Sequence, residues 1–274
     1  MVGKKIMPIG AMFAKIGEDG KWRLGDIKVA EGTLAYKTEY LMELKPADGT
    51  VLKRYCYLDA ATLNKTFAKW SAADKENAVG WWDWNSVTAK SGFTPIGPGS
   101  AVKADDEQFD ATQGFVANFG GLKAALVFSG EVPAGDDSFD YTGMKIFPII
   151  NYLPRKITLN ELKVAEGTLA YKTEYLMKIN PENGTVAARY CYLDATTLNK
   201  TFAKWSAADK ENAVGWWDWN SVTAKSGFTP IGPGSAVKAD TVEIEPGEGF
   251  KANFGGLKAK ITFPKAIPDP APAE

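Results

Sequence analysis

Over most of the chain apolar and polar residues alternate in short stretches, the period-two pattern of half-buried strands. Lys4 to Ile16, Trp22 to Ala30, Thr33 to Leu44, Thr50 to Leu58, Gly114 to Asn118 and Leu122 to Phe128 read as strands. Each is rich in β-branched or aromatic residues and bounded by Gly, Pro, Asp or Asn. The pattern changes between the fourth and fifth strands. There Asp59 can cap a helix over Ala60 to Trp70, and Ser71-Ala-Ala-Asp74 has capping-box form ahead of Lys75 to Ala78.

The same pattern returns from Met144 onward, because the chain repeats itself at an offset of 135 positions. Lys28 to Met42 recurs unchanged at Lys163 to Met177, and Thr62 to Asp105 recurs unchanged at Thr197 to Asp240, a run of 44 identical residues. Differences are concentrated at Glu43 to Lys53 against Lys178 to Ala188, at Asp106 to Gln113 against Thr241 to Glu248, and in the segments leading into each copy. The first divergent segment carries Asp48-Gly49 or Asn183-Gly184, both hairpin-turn signals. The second is loop-like and acidic.

The expected fold is therefore mainly β: two tandem homologous β-sandwich or small-barrel domains, each with a short helical insertion. Residues 1–135 and 136–264 form the two repeats. Residues 265–274, rich in proline, are expected to be an extended tail. Units of this size are ordinary domains, and 45% apolar with 24% charged residues suits packed cores.

Charge and composition narrow the function. A net charge of −1 with interspersed signs offers no basic face, so nucleic acid is not an expected partner. No window approaches the roughly 20 apolar residues of a membrane span, and Met1 to Gly10 does not read as a secretory signal. The chain has no histidine, which removes Ser-His-Asp and Cys-His catalysis and the histidine-containing metal sites. GxGxxG, Walker, GxSxG and CxxC motifs are absent too, and no cofactor is expected.

Paired acids remain, because glycoside hydrolysis needs two carboxylates. Asp59, Asp83, Asp194 and Asp218 are available, with helix caps and solvated loops as their simpler roles. Asp136 to Asp140 resembles part of a calcium loop but lacks the further ligand spacing, and reads as an interdomain linker. Cys56 and Cys191 occupy equivalent places in Arg-Tyr-Cys-Tyr-Leu-Asp, sharing a strand face with Leu58 or Leu193, and are expected to be buried, unreactive thiols. Gly92 to Ser100 reads as a proline-fixed loop rather than a phosphate cradle.

The tryptophans are the strongest candidates for recognition. In Gly80-Trp-Trp-Asp-Trp-Asn85, alternation puts Trp82 on one face and Trp81 and Trp84 elsewhere, so at least one indole should be partly exposed. The candidate contact residues are Trp81, Trp82, Trp84 and Asn85, with Trp216, Trp217, Trp219 and Asn220. They would serve core packing, a protein interface or a sugar-stacking platform.

Two functions are consistent with this. One is a non-enzymatic structural subunit of a repetitive self-assembling particle or surface structure, such as a virion or phage component, a surface layer or a filament. Its partners would be copies of itself or other assembly proteins, in a virion or at the cell surface. The other is a tandem carbohydrate-binding protein, in which two weak glycan sites gain avidity by linkage.

Overall fold

The computed structural model describes residues 6–10, 21–30, 40–88, 101–110, 113–119, 126–127, 137–141, 145–165, 174–223, 236–255 and 258–265. The Gly92 to Ser100 loop and the tail beyond residue 265 lie outside them. The chain divides into two compact units. One comprises Met1–Lys45, Thr50–Glu131 and Ile179–Thr185, the other Pro46–Gly49, Val132–Lys178 and Val186–Glu274. The described residues are mainly β, in several antiparallel sheets.

The first unit runs β1 (Ile6–Gly10), β2 (Lys21–Arg23), β3 (Lys28–Val29), β4 (Tyr40–Leu44), β5 (Val51–Leu58), α1 (Ala60–Thr66), α2 (Ala72–Ala78), β6 (Gly80–Asp83), α3 (Trp84–Thr88), β7 (Gln108–Asp110), β8 (Gly114–Asn118) and β9 (Leu126–Val127). Five strands make one sheet in the order β1-β8-β4-β5-β6, while β2 pairs with β7 and β3 with β9. The turn between β4 and β5 is the predicted one. Gly49 sits at φ 73°, a conformation glycine adopts without steric cost.

Alternation along β5 and β6 gives the sheet two dry faces. Cys56, Leu58 and Trp82 pack against Leu63 of α1, Phe67 just after it, Ala78 of α2 and Val87 of α3. On β5 and β8, Tyr55 and Phe115 meet Trp22 of β2 and Phe109 of β7, with ring centroids 4.9–6.0 Å apart and mostly edge-to-face. Such pairs contribute about 0.5–1.5 kcal/mol each beyond the area they bury. The helices are thus a covering layer on one sheet face.

The second unit runs β10 (Asp137–Asp140), β11 (Ile146–Ile150), β12 (Ile157–Thr158), β13 (Lys163–Val164), β14 (Tyr175–Ile179), β15 (Val186–Leu193), α4 (Ala195–Thr201), α5 (Ala207–Ala213), β16 (Gly215–Asp218), α6 (Trp219–Thr223), β17 (Glu243–Ile244), β18 (Gly249–Asn253) and β19 (Lys260–Phe263). Its five-stranded sheet has the order β11-β18-β14-β15-β16, the same sequence of equivalent strands as in the first unit. Cys191, Leu193 and Trp217 pack against Leu198, Phe202, Ala213 and Val222 in turn.

Strand register corrects the repeat itself. Ile6 pairs with Asn118, and Ile146 pairs with Asn253. Asn118 and Asn253 are 135 positions apart, whereas Ile6 and Ile146 are 140 apart, so the first strand of each unit follows a longer offset. Ile6-Met-Pro-Ile-Gly10 matches Ile146-Phe-Pro-Ile-Ile150, and the first copy carries five extra residues between Gly10 and Lys21. Pro8 and Pro148 stand on the outermost strand of each five-stranded sheet, where a missing N–H need not interrupt a ladder and discourages further pairing.

Three other expectations change. Asp137 to Asp140 is strand β10, paired with β19, and not a linker. The run from Trp22 to Ala30 is broken by a 3-10 turn at Leu24–Asp26, and the second copy has the equivalent turn at Leu159–Glu161. Helix α1 stops at Thr66 rather than Trp70, and α3 and α6 follow the Trp-Trp-Asp strands, where no helix was expected.

Candidate interaction surfaces

The acids first considered for chemistry hold helix termini. Asp59 accepts the Thr62 N–H at 2.7 Å, and Asp194 that of Thr197 at 2.6 Å. Asp83 accepts the Ser86 N–H at the start of α3, and Asp218 that of Ser221, each at 2.8 Å. These are the orphan donors of helix first turns. Among the described residues no group of three or more Cys, Asp or Glu is disposed to hold a metal ion, and no helix is long and apolar enough to cross a membrane.

Both cysteines are unbonded and buried, and burial pushes each thiol well above its ordinary range. A thiol kept protonated is a poor nucleophile.

The tryptophans separate into two kinds. Trp81 and Trp82 are 1% and 5% exposed, and their indole N–H groups donate to the carbonyls of Ile27 and Ala78, both at 2.8 Å. Trp216 and Trp217 do the same to Leu162 and Ala213, at 3.0 and 2.7 Å. With their polar atoms satisfied inside, these four are core residues. Trp84 and Trp219 are half-buried, and Asn85 and Asn220 beside them are exposed.

Trp84 belongs to a cluster that the sequence does not advertise. Its ring lies 5.3 Å from that of Tyr40 on β4, and the Arg54 guanidinium from β5 sits 5.6 Å from Tyr40 and 5.7 Å from Trp84. Tyr175, Arg189 and Trp219 reproduce this, with 5.3 Å between rings and 5.7 Å from the guanidinium to each. A cation over two rings contributes roughly 0.5–1 kcal/mol per contact at an exposed site and lays a flat, half-wet platform beside Asn85 or Asn220.

The two copies are not uniformly alike in space. The identical block from Thr62 to Asp105 contains α2, β6, α3 and most of α1. It includes exposed residues that no core requires, among them Asn64, Lys69, Asp74, Asn77, Asn85 and Val102. A groove of about 370 Å³ between α4 and α5, lined by Ala195, Asn199, Ala207, Lys210, Glu211 and Val214, has the same six residue types in the first copy. Helix-side chemistry is constant but for Ala61 of α1, which is Thr196 in α4.

The differences gather elsewhere, at buried and exposed positions together, and they are coupled. Glu43 accepts from the Tyr55 hydroxyl at 2.8 Å and the Gln113 amide at 2.9 Å, while its counterpart Lys178 bridges Glu248, the counterpart of Gln113, at 3.2 Å. Lys53 donates to Glu107 at 2.8 Å where the second copy has Ala188 and Val242. Arg23 and Asp106, 3.9 Å apart, are replaced by Thr158 and Thr241. Trp22 pairs with Phe109 across β2 and β7, and Ile157 pairs with Ile244 across β12 and β17. In each case residues far apart in sequence that touch in one copy both differ in the other.

Electrostatics at these positions follow the pairs. Burial, then the Glu43 carboxylate, raises the Tyr55 phenol, and the hydrogen bond to Glu107 raises the Lys53 ammonium. In the second copy burial lowers the Lys251 ammonium, at the position Val116 fills in the first. Neither protein-family models, curated proteins nor solved structures show a match to this chain.

Proposed function

We propose that the chain is a tandem duplicate of one β-domain and acts as a non-enzymatic structural subunit of a repetitive assembly, such as a virion or phage component, a surface layer or a filament. The observation that carries this reading is the division of each unit into a constant helical side and a variable side of coupled substitutions. A building block that meets one kind of neighbour through every unit, and different neighbours at the two ends of the chain, needs such surfaces. Each domain is read as a sandwich-type structure whose sheet carries the helices outward.

Negative-stain microscopy of protein taken from its native source tests the reading. Ordered particles, sheets or filaments are expected, and protein that stays monomeric at every concentration overturns it. The half-exposed Tyr40, Arg54 and Trp84 platform, present twice, supports a second reading as a bivalent glycan-binding protein. On that reading, soluble oligosaccharides shift tryptophan fluorescence, and the shift disappears in a Trp84→Ala, Trp219→Ala double variant.

A further inference from the structure

The hairpin that joins β14 to β15 turns through Pro181-Glu-Asn183-Gly184-Thr185, and Asn183-Gly184 is the only Asn-Gly pair in the 274 residues. Two backbone bonds close the turn, from the Asn180 N–H to the Thr185 carbonyl and from the Gly184 N–H to the Asn180 carbonyl, each at 2.8 Å. Gly184 takes φ 75°, and both Asn183 and Thr185 are exposed.

The Asn183 carboxamide is bonded on its oxygen side. That oxygen accepts the Thr185 N–H at 3.0 Å and the Thr185 hydroxyl at 2.6 Å. Among the described residues the amide nitrogen bonds to nothing. Two donors on one carbonyl oxygen draw electron density from Cγ and stabilise the negative charge that the oxygen takes when a nucleophile adds, as an oxyanion hole does. The adjacent nucleophile is the Gly184 backbone nitrogen, which no Cβ shields. Its bond to the Asn180 carbonyl holds it back, so the reaction waits on opening of the turn, and solvent-exposed backbone bonds open most readily.

We propose that Asn183 is a self-modification site. The Gly184 nitrogen bonds to Asn183 Cγ and gives up its proton, the bond from Cγ to Nδ2 breaks, and ammonia leaves. Water then opens the five-membered imide at either carbonyl, giving aspartate, or isoaspartate with the chain running through the former side chain. Each conversion adds a negative charge to the hairpin tip. The first copy carries that acid already. Asp48 precedes Gly49, which takes φ 73°, so an aspartate fits the same turn. Ageing thus gives the second hairpin the charge of the first. The chemistry depends on the hairpin alone and proceeds whether or not the chain assembles.

Incubation of the full chain in mildly alkaline buffer, with mass-spectrometric peptide mapping over time, tests this. Asn183 is expected to convert several-fold faster than Asn85 and Asn220, which are exposed and precede serine, and to yield both aspartyl and isoaspartyl forms. Thr185→Val keeps the backbone N–H and removes the hydroxyl from an exposed position. With circular dichroism confirming the fold, it should slow conversion at Asn183 several-fold. Conversion of Asn85 or Asn220 ahead of Asn183, aspartate formed without isoaspartate, or an undiminished rate in Thr185→Val overturns the proposal.

Discussion

Lys53 donates to Glu107 at 2.8 Å in the first unit, and the residues in their places 135 positions later, Ala188 and Val242, have both lost their charge. The pair is about two-fifths exposed, so its net contribution is small, about 0.5 kcal/mol. Lys53→Ala alone should lower stability by about that much. The Lys53→Ala, Glu107→Val double variant should be no less stable than the single one, as read by denaturant unfolding.

Glu43 offers a sharper version of the same coupling, because it is 7% exposed and accepts from both Tyr55 and Gln113. Glu43→Lys places an ammonium against two donors and should cost about 2–3 kcal/mol. Adding Gln113→Glu recreates the Lys178 and Glu248 arrangement and should recover at least half of the loss. A double variant as unstable as Glu43→Lys would show that the two units do not share this local geometry.

The Arg155 guanidinium lies 2.7 Å from Glu161, whose carboxylate also accepts the Thr158 N–H at 2.8 Å. Burial acts to raise the Glu161 carboxyl, but the bonds from Arg155 and Thr158 outweigh it and hold the group below the usual carboxylate range. A lowered folded value means the stabilisation is complete above pH 4.5 and is lost as pH falls through that folded value. Partial exposure limits it to about 1 kcal/mol. Glu161→Gln should therefore lower the melting temperature at neutral pH and flatten its decline in acid.

The indoles predict a contrast within one motif. Trp82→Ala empties a site among Cys56, Leu58, Leu63 and Phe67 and should cost about 3–5 kcal/mol. Trp84→Ala removes one ring of a half-exposed cluster and should cost about 1 kcal/mol. Comparable losses in thermal unfolding would contradict the assignment of Trp82 to the core and Trp84 to the surface.

Cys56 and Cys191 should both resist a thiol-specific reagent in the native protein and react fully once the chain is denatured, because burial keeps each thiol protonated and out of reach. Rapid native labelling of either would contradict the packing around it.

Local signals made much of this fold legible. Strand β8 stands at Gly114–Asn118 as predicted, Asp59 and Ser71 cap the helices they announce, and Gly49 and Gly184 turn their hairpins at positive φ. What stayed hidden depends on contacts distant in sequence. Helix α3 begins with Trp84, Asn85 and Ser86, weak helix formers, and depends on the Asp83 cap together with the Val102 N–H bonded to Ser86. The Tyr40, Arg54 and Trp84 cluster needs β4, β5 and α3 already in place. The equivalence of β1 with β11 was masked by five residues that shift the repeat, and β10 by acidic residues that resemble a linker.

Removing the variable surface while sparing the core tests the central claim most directly. Sedimentation velocity of the native protein should show concentration-dependent ordered species. A variant carrying Arg23→Thr, Lys53→Ala, Asp106→Thr and Glu107→Val, which gives the first unit the chemistry of the second, should keep its fold and assemble with altered size or geometry. Wild-type protein that sediments as a monomer at every concentration, or a folded variant whose assembly is unchanged, would contradict the account.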